Sequence, residues 1–320
     1  MWFVLAIARD LSSICVAVRE MPPHPIPIRL EPQAGDAKPR GRGMSTRGRI
    51  APLVEYFCIN LARRPDRRAR AAVQLSQHAP HTQFRFVDGV DGVALTSAEL
   101  TASAELRPHT PPYIAAPALD KMLRKEGTHT LAARPDGKWD FSRRLLTRGA
   151  VGCALSHLGL WERRAQADDP HAISVVLEDD AHLCDGFDRR MDGLLAALRS
   201  GSLSGGGGEP AWDLCYLGHF PRPPGAGKVL GPPAADGLRH IVGRGVYGLF
   251  GYVLSRRGAR ALLKWRHRGR SSTAILPLSS QVDCALAGCT ATTTLVAAVP
   301  PLAFCGLEQC LADSDVQLCI

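Results

Sequence analysis

The sequence predicts an α/β fold with one central, mostly parallel β-sheet, and three observations favour this class. Apolar runs of strand length alternate along the chain with segments of helical periodicity. The strand runs are apolar on both faces, as expected of strands that lie between two layers of helices. The chain has 320 residues, of which 45% are hydrophobic, and this is enough for a large buried core.

The first βα unit is predicted near the start of the patterned region. Residues 53–61, LVEYFCINL, are apolar and rich in β-forming residues, which indicates a buried strand. Pro65 suits the first turn of a following helix, and Asp66 complements the dipole of that helix. A short second strand is predicted at 84–87, and the turn-rich sequence DGVDG at 88–92 closes it.

The alternation of strands and helices continues through the second half of the chain. Thr147 is a suitable N-cap for a helix that runs to about Ala167. The apolar run AISVVL at 172–177 indicates another buried strand. The remaining predicted elements are a helix at 187–198, strands at 212–217 and 247–254, a helix at 257–265 and a strand at 295–299.

We predict a loose basic N-terminal leader at residues 1–50 and a single domain at residues 51–320. The leader is rich in proline and arginine and has no sustained helical or strand period. Met44 lies just before the patterned region, so we expect the residues before it to be dispensable for the fold. Within the domain, proline and glycine predict irregular insertions near 107–144 and 220–240.

The charge of the chain favours anionic partners. Lys and Arg (39) exceed Asp and Glu (30), which gives a formal net charge of +9. No nucleic-acid-binding motif accompanies this charge, so we expect no specific nucleic-acid partner. The apolar run at 2–8 is too short to cross a bilayer and lacks the flanks of a signal peptide, so no transmembrane segment is expected. We predict a cytoplasmic protein, or one peripheral at a membrane surface.

Three consecutive carboxylates, Glu178, Asp179 and Asp180, follow the predicted strand at 172–177. Ligands of open α/β sheets bind at this end of the strands. Clustered acids repel one another unless a cation or hydrogen-bond donors balance them, and carboxylate oxygens suit Mg²⁺ or Mn²⁺. The alternative is that one acid caps the following turn while the others are solvated. If the extended conformation continues, Glu178 and Asp180 share a face and Asp179 points away.

Several other residues are ambiguous when taken alone. The arginine cluster at 63–70 lies either at a phosphate-binding helix N-terminus or on a solvated helix face. Ser156 and His157 lie on a predicted helix, where such a pair usually has no catalytic function. Asp283 by itself would not stand out. The absence of a GxSxG sequence disfavours a Ser-His-Asp hydrolase.

Eight sequence blocks, taken in order, favour a functional interpretation of these residues, which are ambiguous when taken alone. The two most specific are LTRGAVGCALSHLGLW at 146–161 and VVLEDDAHL at 175–183. The other six are FCINLARRPDRR at 57–68, FVDGVDG at 86–92, WDLCYLG at 212–218, YVLSRRGARALL at 252–263, VDCAL at 282–286 and SDVQ at 314–317. Together they resemble glycosyltransferase family 25, which includes lipooligosaccharide galactosyltransferases and collagen β-galactosyltransferases. The resemblance covers about residues 54–318.

The resemblance implies a GT-A-like, Rossmann-like fold that binds a nucleotide sugar. It further implies a metal-dependent inverting glycosyltransferase that moves a sugar, usually galactose, from a UDP-sugar to an acceptor hydroxyl. The expected cofactor is Mn²⁺ or Mg²⁺. The expected acceptor is a glycan, a lipooligosaccharide or a collagen-like protein.

The resemblance also assigns roles to individual residues. Glu178 and Asp180 match the acidic motif of the family and are the expected metal ligands. Asp283 matches an aspartate that we expect to act as the catalytic base, with contact to the metal or the acceptor as the alternative. The expected donor-binding residues are Asn60, Arg67, Ser156, His157 and Asp179.

Two positions depart from the family pattern. The family commonly has Glu where this chain has Ala150, and Pro where it has Gln281. The lost carboxylate at position 150 raises an alternative, in which the chain is a catalytically inactive relative that binds a sugar nucleotide or a carbohydrate. The acidic triplet, the Ser-His pair and Asp283 are all present, so we favour the enzyme.

Overall fold

A computed structural model describes nine ranges of the chain, which hold most of the predicted elements. The predicted leader at 1–50 and the predicted insertion at 107–144 lie outside the described residues. The described ranges are 54–96, 98–99, 146–200, 211–220, 230–235, 237–242, 246–264, 281–289 and 292–306.

The described residues form ten strands and five helices. The strands are β1 (Val54–Asn60), β2 (Phe84–Asp88), β3 (Ile173–Glu178), β4 (His182–Leu183), β5 (Leu214–Tyr216), β6 (Leu230–Ala235), β7 (Leu238–Ile241), β8 (Gly251–Ser255), β9 (Leu295–Ala298) and β10 (Ala303–Phe304). The helices are α1 (Pro65–His78), α2 (Arg148–Ala165), α3 (Phe187–Arg199), α4 (Arg256–Leu263) and α5 (Val282–Ala287). No helix in these ranges is both long enough and apolar enough to cross a bilayer.

Eight of the strands form one sheet in the order β2-β1-β3-β8-β5-β9-β7-β6, and β4 pairs with β10 in a second, small sheet. The neighbours β1–β2, β1–β3 and β5–β9 are parallel, and the other four pairs of neighbours are antiparallel. The α/β class is therefore confirmed, but the sheet is mixed rather than mostly parallel. The reason is that an apolar run reports burial on both faces of a strand and does not report its direction. β8 is fully buried and yet runs antiparallel to both neighbours.

β6 and β7 pair as antiparallel strands within the segment near 220–240 that the sequence predicted to be irregular. Pro232 and Pro233 suggested a loop there, because proline cannot donate to a strand ladder. β6 is the outermost strand of the sheet, where one side of the backbone has no partner strand and proline is tolerated.

Hydrophobic clusters cover both faces of the sheet. Alternate residues of β3 belong to different clusters, since Val176 is in the cluster that contains Trp161 of α2, whereas Val175 is in the cluster that contains Met191 of α3. All four of these side chains are at most 1% exposed. Burial of one such side chain stabilises the fold by about 1.5–3 kcal/mol, and burial on both faces explains why the strand runs are apolar throughout.

A buried ion pair fixes α2 against the sheet. The Arg164 side chain is 0% exposed, its guanidinium pairs with Glu55 of β1, and its Nε donates to the Ser174 hydroxyl of β3 at 2.7 Å. Arg163 donates to the other carboxylate oxygen of Glu55 at 2.8 Å. Burial alone raises the pKa of Glu55, but Arg163 and Arg164 outweigh it and hold this pKa below its usual value.

We expect Glu55→Gln to lower the free energy of unfolding by about 2–3 kcal/mol at neutral pH, because Arg164 loses its counter-charge in a buried position. A carboxyl whose pKa is depressed in the folded protein stabilises it above the unfolded-state pKa, about 4.3, and this contribution is lost as the pH falls through the folded-state pKa. The difference between wild type and variant in denaturant unfolding should therefore shrink at about pH 3. A difference that is the same at both pH values would contradict this assignment.

Candidate functional site

A pocket lies where β1 and β3 end. Because these two strands are parallel neighbours, their carboxyl ends meet at the same edge of the sheet. The wall also contains the loop after β2, the N-terminal halves of α1, α2 and α5, residues 248–250, Phe220 and Cys305. All eight residues that the sequence analysis selected line this pocket, namely Asn60, Arg67, Ser156, His157, Glu178, Asp179, Asp180 and Asp283.

Arg67 of α1 bridges two of the three clustered acids. One guanidinium nitrogen lies 2.5 Å from Asp179 Oδ1 and 2.8 Å from Asp180 Oδ2. Asn60, at the end of β1, donates from Nδ2 to the second oxygen of Asp179 at 2.6 Å. The side chains of Arg67 and Asp179 are each only 8% exposed, so these charge-assisted bonds are shielded from water.

The acids do not alternate between two faces as the sequence analysis expected. β3 ends at Glu178, and the Ala181 amide donates to the Glu178 carbonyl at 3.1 Å, which closes a turn. The turn brings Asp179 and Asp180 together onto Arg67, while Glu178 faces a different partner. The pairing of Glu178 with Asp180 on one face depended on an extended backbone, and the strand ends at Glu178 instead.

The electrostatics of the acid cluster favour an added cation. Burial is the main cause that raises the pKa of Asp179. Burial and then the charge of Glu178 raise the pKa of Asp180 to about 7, although Arg67 opposes both. When all three acids are ionised, three carboxylate charges lie close together, and Arg67 is the cation that pairs with two of them.

His157 of α2 orients Glu178 through a chain of hydrogen bonds. Its Nε2 lies 3.1 Å from Glu178 Oε1, and its Nδ1 lies 3.0 Å from the Tyr252 hydroxyl. Trp161 donates from Nε1 to the same hydroxyl at 2.9 Å. Since a carboxylate only accepts, a neutral His157 carries its proton on Nε2, and Tyr252 donates its hydroxyl proton to Nδ1.

Ser156 fastens a loop onto the pocket wall. Its hydroxyl donates to the Gly152 carbonyl at 2.7 Å and accepts from the Val90 amide at 2.8 Å. Gly152 permits this contact, because a Cβ there would lie 2.4 Å from the Val90 carbonyl oxygen and 2.4 Å from the Gly92 nitrogen. The Ser156 hydroxyl thus holds the DGVDG loop against α2.

Asp283 lies in the first turn of α5, where both carboxylate oxygens accept backbone hydrogen bonds. Oδ2 accepts from the Gly248 amide at 3.1 Å, and Oδ1 accepts from the Cys284 amide at 2.7 Å. Gly248 has φ +88, a left-handed conformation that favours glycine. A carboxylate offers about four lone-pair positions, so Asp283 keeps acceptor capacity toward the pocket.

Three residues of this site were not predicted from the sequence. Trp161 and Tyr252 hold His157, and the helical spacing of four between His157 and Trp161 is a signal that placed both on one face of α2. Cys153 also lines the pocket, one turn before His157. The contact with Tyr252 had no local signal, because 95 residues separate it from His157.

Comparison with known proteins agrees with the motif resemblance. Residues 54–202 match the family model described as Glycosyltransferase family 25 (LPS biosynthesis protein). This range contains all of the pocket residues selected from the sequence except Asp283. The predicted resemblance is therefore confirmed.

Curated relatives carry two kinds of name. A Bos taurus protein, Probable inactive glycosyltransferase 25 family member 3, is 34% identical over 210 residues, which is 65% of this chain and 28% of the relative. Procollagen galactosyltransferase 1-A of Xenopus laevis is 31% identical over 211 residues, again 65% of this chain and 28% of the relative. Procollagen galactosyltransferase 1 of Danio rerio is 29% identical over 212 residues, 66% of this chain and 28% of the relative. The match thus spans less than a third of each of these relatives.

Proposed function

We propose, on the premise that residues 54–202 are a glycosyltransferase family 25 sequence, that this chain transfers a sugar from a nucleotide-diphosphate sugar to an acceptor hydroxyl. The observation that carries the proposal is the acid cluster at the joint ends of β1 and β3, in which Asp179 and Asp180 share one guanidinium nitrogen of Arg67. The sheet edge is where nucleotide ligands of α/β folds bind, which supports a GT-A-like donor site.

The acid cluster fits a divalent ion. Carboxylate oxygens are the ligands that Mn²⁺ and Mg²⁺ prefer, and the cluster presents three carboxylates. Asp179 is engaged by both Arg67 and Asn60, so Glu178 and Asp180 are the residues that would hold the ion. Asn60 Oδ1 is buried and has no hydrogen-bond partner among the described residues, which leaves one more oxygen beside the cluster. A bound ion would neutralise the charge that develops on a departing diphosphate.

Side chains of the pocket position the acids and accept the proton of the acceptor. Arg67 and Asn60 hold Asp179 in a fixed position, and His157 holds Glu178. Asp283 accepts the proton of the acceptor hydroxyl as the acceptor oxygen bonds to the anomeric carbon and the bond from that carbon to the diphosphate breaks. Attack on the face opposite the diphosphate inverts the anomeric carbon. The donor that we propose is UDP-galactose.

The comparisons guide the choice of acceptor. Two of the relatives are named procollagen galactosyltransferases, which supports a collagen-like acceptor. The description of the family model names lipopolysaccharide biosynthesis, which supports a lipid-linked saccharide. Both acceptors present a hydroxyl, so the same base chemistry serves either of them.

A second candidate function is a sugar-nucleotide binder without turnover. Relatives of this chain carry the word inactive in their names. Ala150, where family 25 commonly has Glu, lines the pocket and is only 1% exposed. A carboxylate that other members commonly have is therefore missing from the pocket wall here.

A donor panel distinguishes the two functions. The purified chain is incubated with Mn²⁺ and a series of UDP-sugars, and UDP release is measured with and without a chelator, with glycan and collagen-like acceptors supplied. Release from one donor that the chelator abolishes supports the transferase. Metal-dependent donor binding in calorimetry without release supports the binder. If the chain neither binds a donor nor releases UDP, both candidate functions are contradicted.

We expect Asp283→Asn to lower kcat for transfer by at least about tenfold while the donor KM changes little, because the amide cannot accept the acceptor proton. Asparagine keeps the shape of the side chain and one oxygen acceptor, so the bond to the Gly248 amide can persist. Steady-state kinetics check the split between kcat and KM. Near-normal kcat would remove Asp283 from the mechanism, and a raised KM together with a lowered Tm would indicate a structural role instead.

A further inference from the structure

Cys153, His157 and Glu178 form a compact group of mixed ligand types. The thiol sulfur, a ring nitrogen and a carboxylate oxygen all lie within 4.8 Å of one another. It is the only such group of histidine, cysteine and acidic side chains in the part of the chain that the structure describes. Cys153 and His157 are one turn apart on α2, and Glu178 stands at the end of β3. All three residues line the pocket.

We propose that these three side chains bind a soft transition-metal ion of the Zn²⁺ type. Thiolate and imidazole ligands favour Zn²⁺ over Mg²⁺ and Mn²⁺, which take oxygen ligands. The site differs from the oxygen site of Glu178 and Asp180 in two of its ligands and shares Glu178 with it. Three protein ligands leave one coordination position for water or for a ligand in the pocket.

The distances suit such an ion after a small adjustment. Zn–S bonds of about 2.3 Å and Zn–N bonds of about 2.0 Å place ligand atoms of a tetrahedral site roughly 3.5 Å apart. His157 Nε2 and Glu178 Oε1, at 3.1 Å, already lie near this separation. The thiol then has to approach the other two atoms by about 1 Å, which rotation of a cysteine side chain supplies.

The surroundings of His157 provide a hydrogen-bond acceptor for an imidazole that binds a metal ion. Zinc-binding histidines carry a proton on the second ring nitrogen and donate it to an oxygen. The Tyr252 hydroxyl oxygen lies 3.0 Å from Nδ1 and can accept that proton. Ion binding therefore shifts the imidazole proton from Nε2 to Nδ1, and the Cys153 thiol releases one proton to solvent as its sulfur binds the ion.

The proposal concerns binding alone and does not depend on transferase activity. If the chain also uses Mn²⁺ at Glu178 and Asp180, Zn²⁺ competes for Glu178 and inhibits transfer. A spectroscopic test keeps the two proposals separate, because it detects the sulfur ligand directly whether or not any sugar is transferred.

The test uses Co²⁺ as a coloured substitute for Zn²⁺. The full chain, stripped with a chelator and desalted under reducing conditions, is titrated with Co²⁺. We expect a thiolate-to-cobalt charge-transfer band in the near ultraviolet, visible bands of a tetrahedral ion, and loss of both when Zn²⁺ is added. In Cys153→Ser the charge-transfer band should disappear, and competition titration should give a Zn²⁺ affinity lower by more than about 100-fold.

Cys184→Ser is the matched control, since Cys184 is another free and half-buried thiol that lies outside the pocket. This variant should keep the band and the Zn²⁺ affinity of the wild type. Thermal unfolding checks that both variants fold, and Zn²⁺ should raise the Tm of wild type and Cys184→Ser but not that of Cys153→Ser. The absence of a charge-transfer band in the wild type, or its persistence in Cys153→Ser, would overturn the proposal.

Discussion

Asp180→Asn is expected to lower metal-dependent UDP release by more than about 100-fold, a loss of the size seen when one group that stabilises a developing negative charge is removed. Asparagine keeps the size of the side chain but removes one of the two carboxylates that we propose as ion ligands. The stability of the folded protein should not decrease. Burial and Glu178 raise the pKa of Asp180 to about 7, so its ionised form is disfavoured in the folded protein, and a neutral side chain relieves repulsion.

Two measurements together separate a ligand role from a structural one. UDP release is followed over a range of Mn²⁺ concentrations, and the Tm is followed in chelator. The expected variant has lost turnover but has an unchanged or higher Tm. Asp185→Asn is the matched control, because the Asp185 side chain is fully exposed and follows shortly after the acid cluster, and it should retain wild-type release. Wild-type release by Asp180→Asn would show that Asp180 holds no essential ion.

Arg67→Met is expected to lower the free energy of unfolding by about 3–5 kcal/mol in chelator. The variant removes the cation that bridges Asp179 and Asp180 and leaves buried carboxylates without their counter-charge. Asp179 suffers most, since its side chain is only 8% exposed. Methionine keeps much of the apolar stem of arginine, so the loss reports the charge more than the packing.

A divalent ion should partly rescue Arg67→Met, because it supplies positive charge to the same acid cluster. We expect Mn²⁺ to raise the Tm of the variant more than that of the wild type in parallel thermal scans. The control is Arg70→Met, whose side chain is 63% exposed and which should change stability by no more than about 0.5 kcal/mol. Equal stability of Arg67→Met and wild type in chelator would contradict the role of Arg67 as the counter-charge of the acid cluster.

Both predictions concern the charge balance of the acid cluster. Arg67 balances part of the negative charge of the acid cluster permanently, and an added cation would neutralise the charge that remains. Because of Arg67, the carboxylates of the cluster need not all become protonated when no ion is bound. If the chain proves to be a binder without turnover, the same charge balance would serve metal-dependent binding of a nucleotide diphosphate.

The sequence by itself determined the α/β class, most of the elements and eight of the residues that line the pocket. The first strand, predicted at 53–61, is β1 at Val54–Asn60, and the helix predicted from a Thr147 cap begins at Arg148 with that cap in place. Such elements are predictable because they depend on local periodicity and capping. The selected residues meet because parallel neighbouring strands deliver their carboxyl ends to one edge.

Tertiary structure alone decided the direction of β8, the pairing of β6 with β7 and the partners of the site residues. Arg67 meets the acid cluster across more than a hundred residues of sequence, and Tyr252 reaches His157 across 95. β3 ends at Glu178 in a turn that the Ala181 amide closes, so the three acids do not continue the alternation of a strand. Periodicity reports which side chains are buried, but contacts between distant segments follow from how helices and strands pack, and no local pattern encodes that packing.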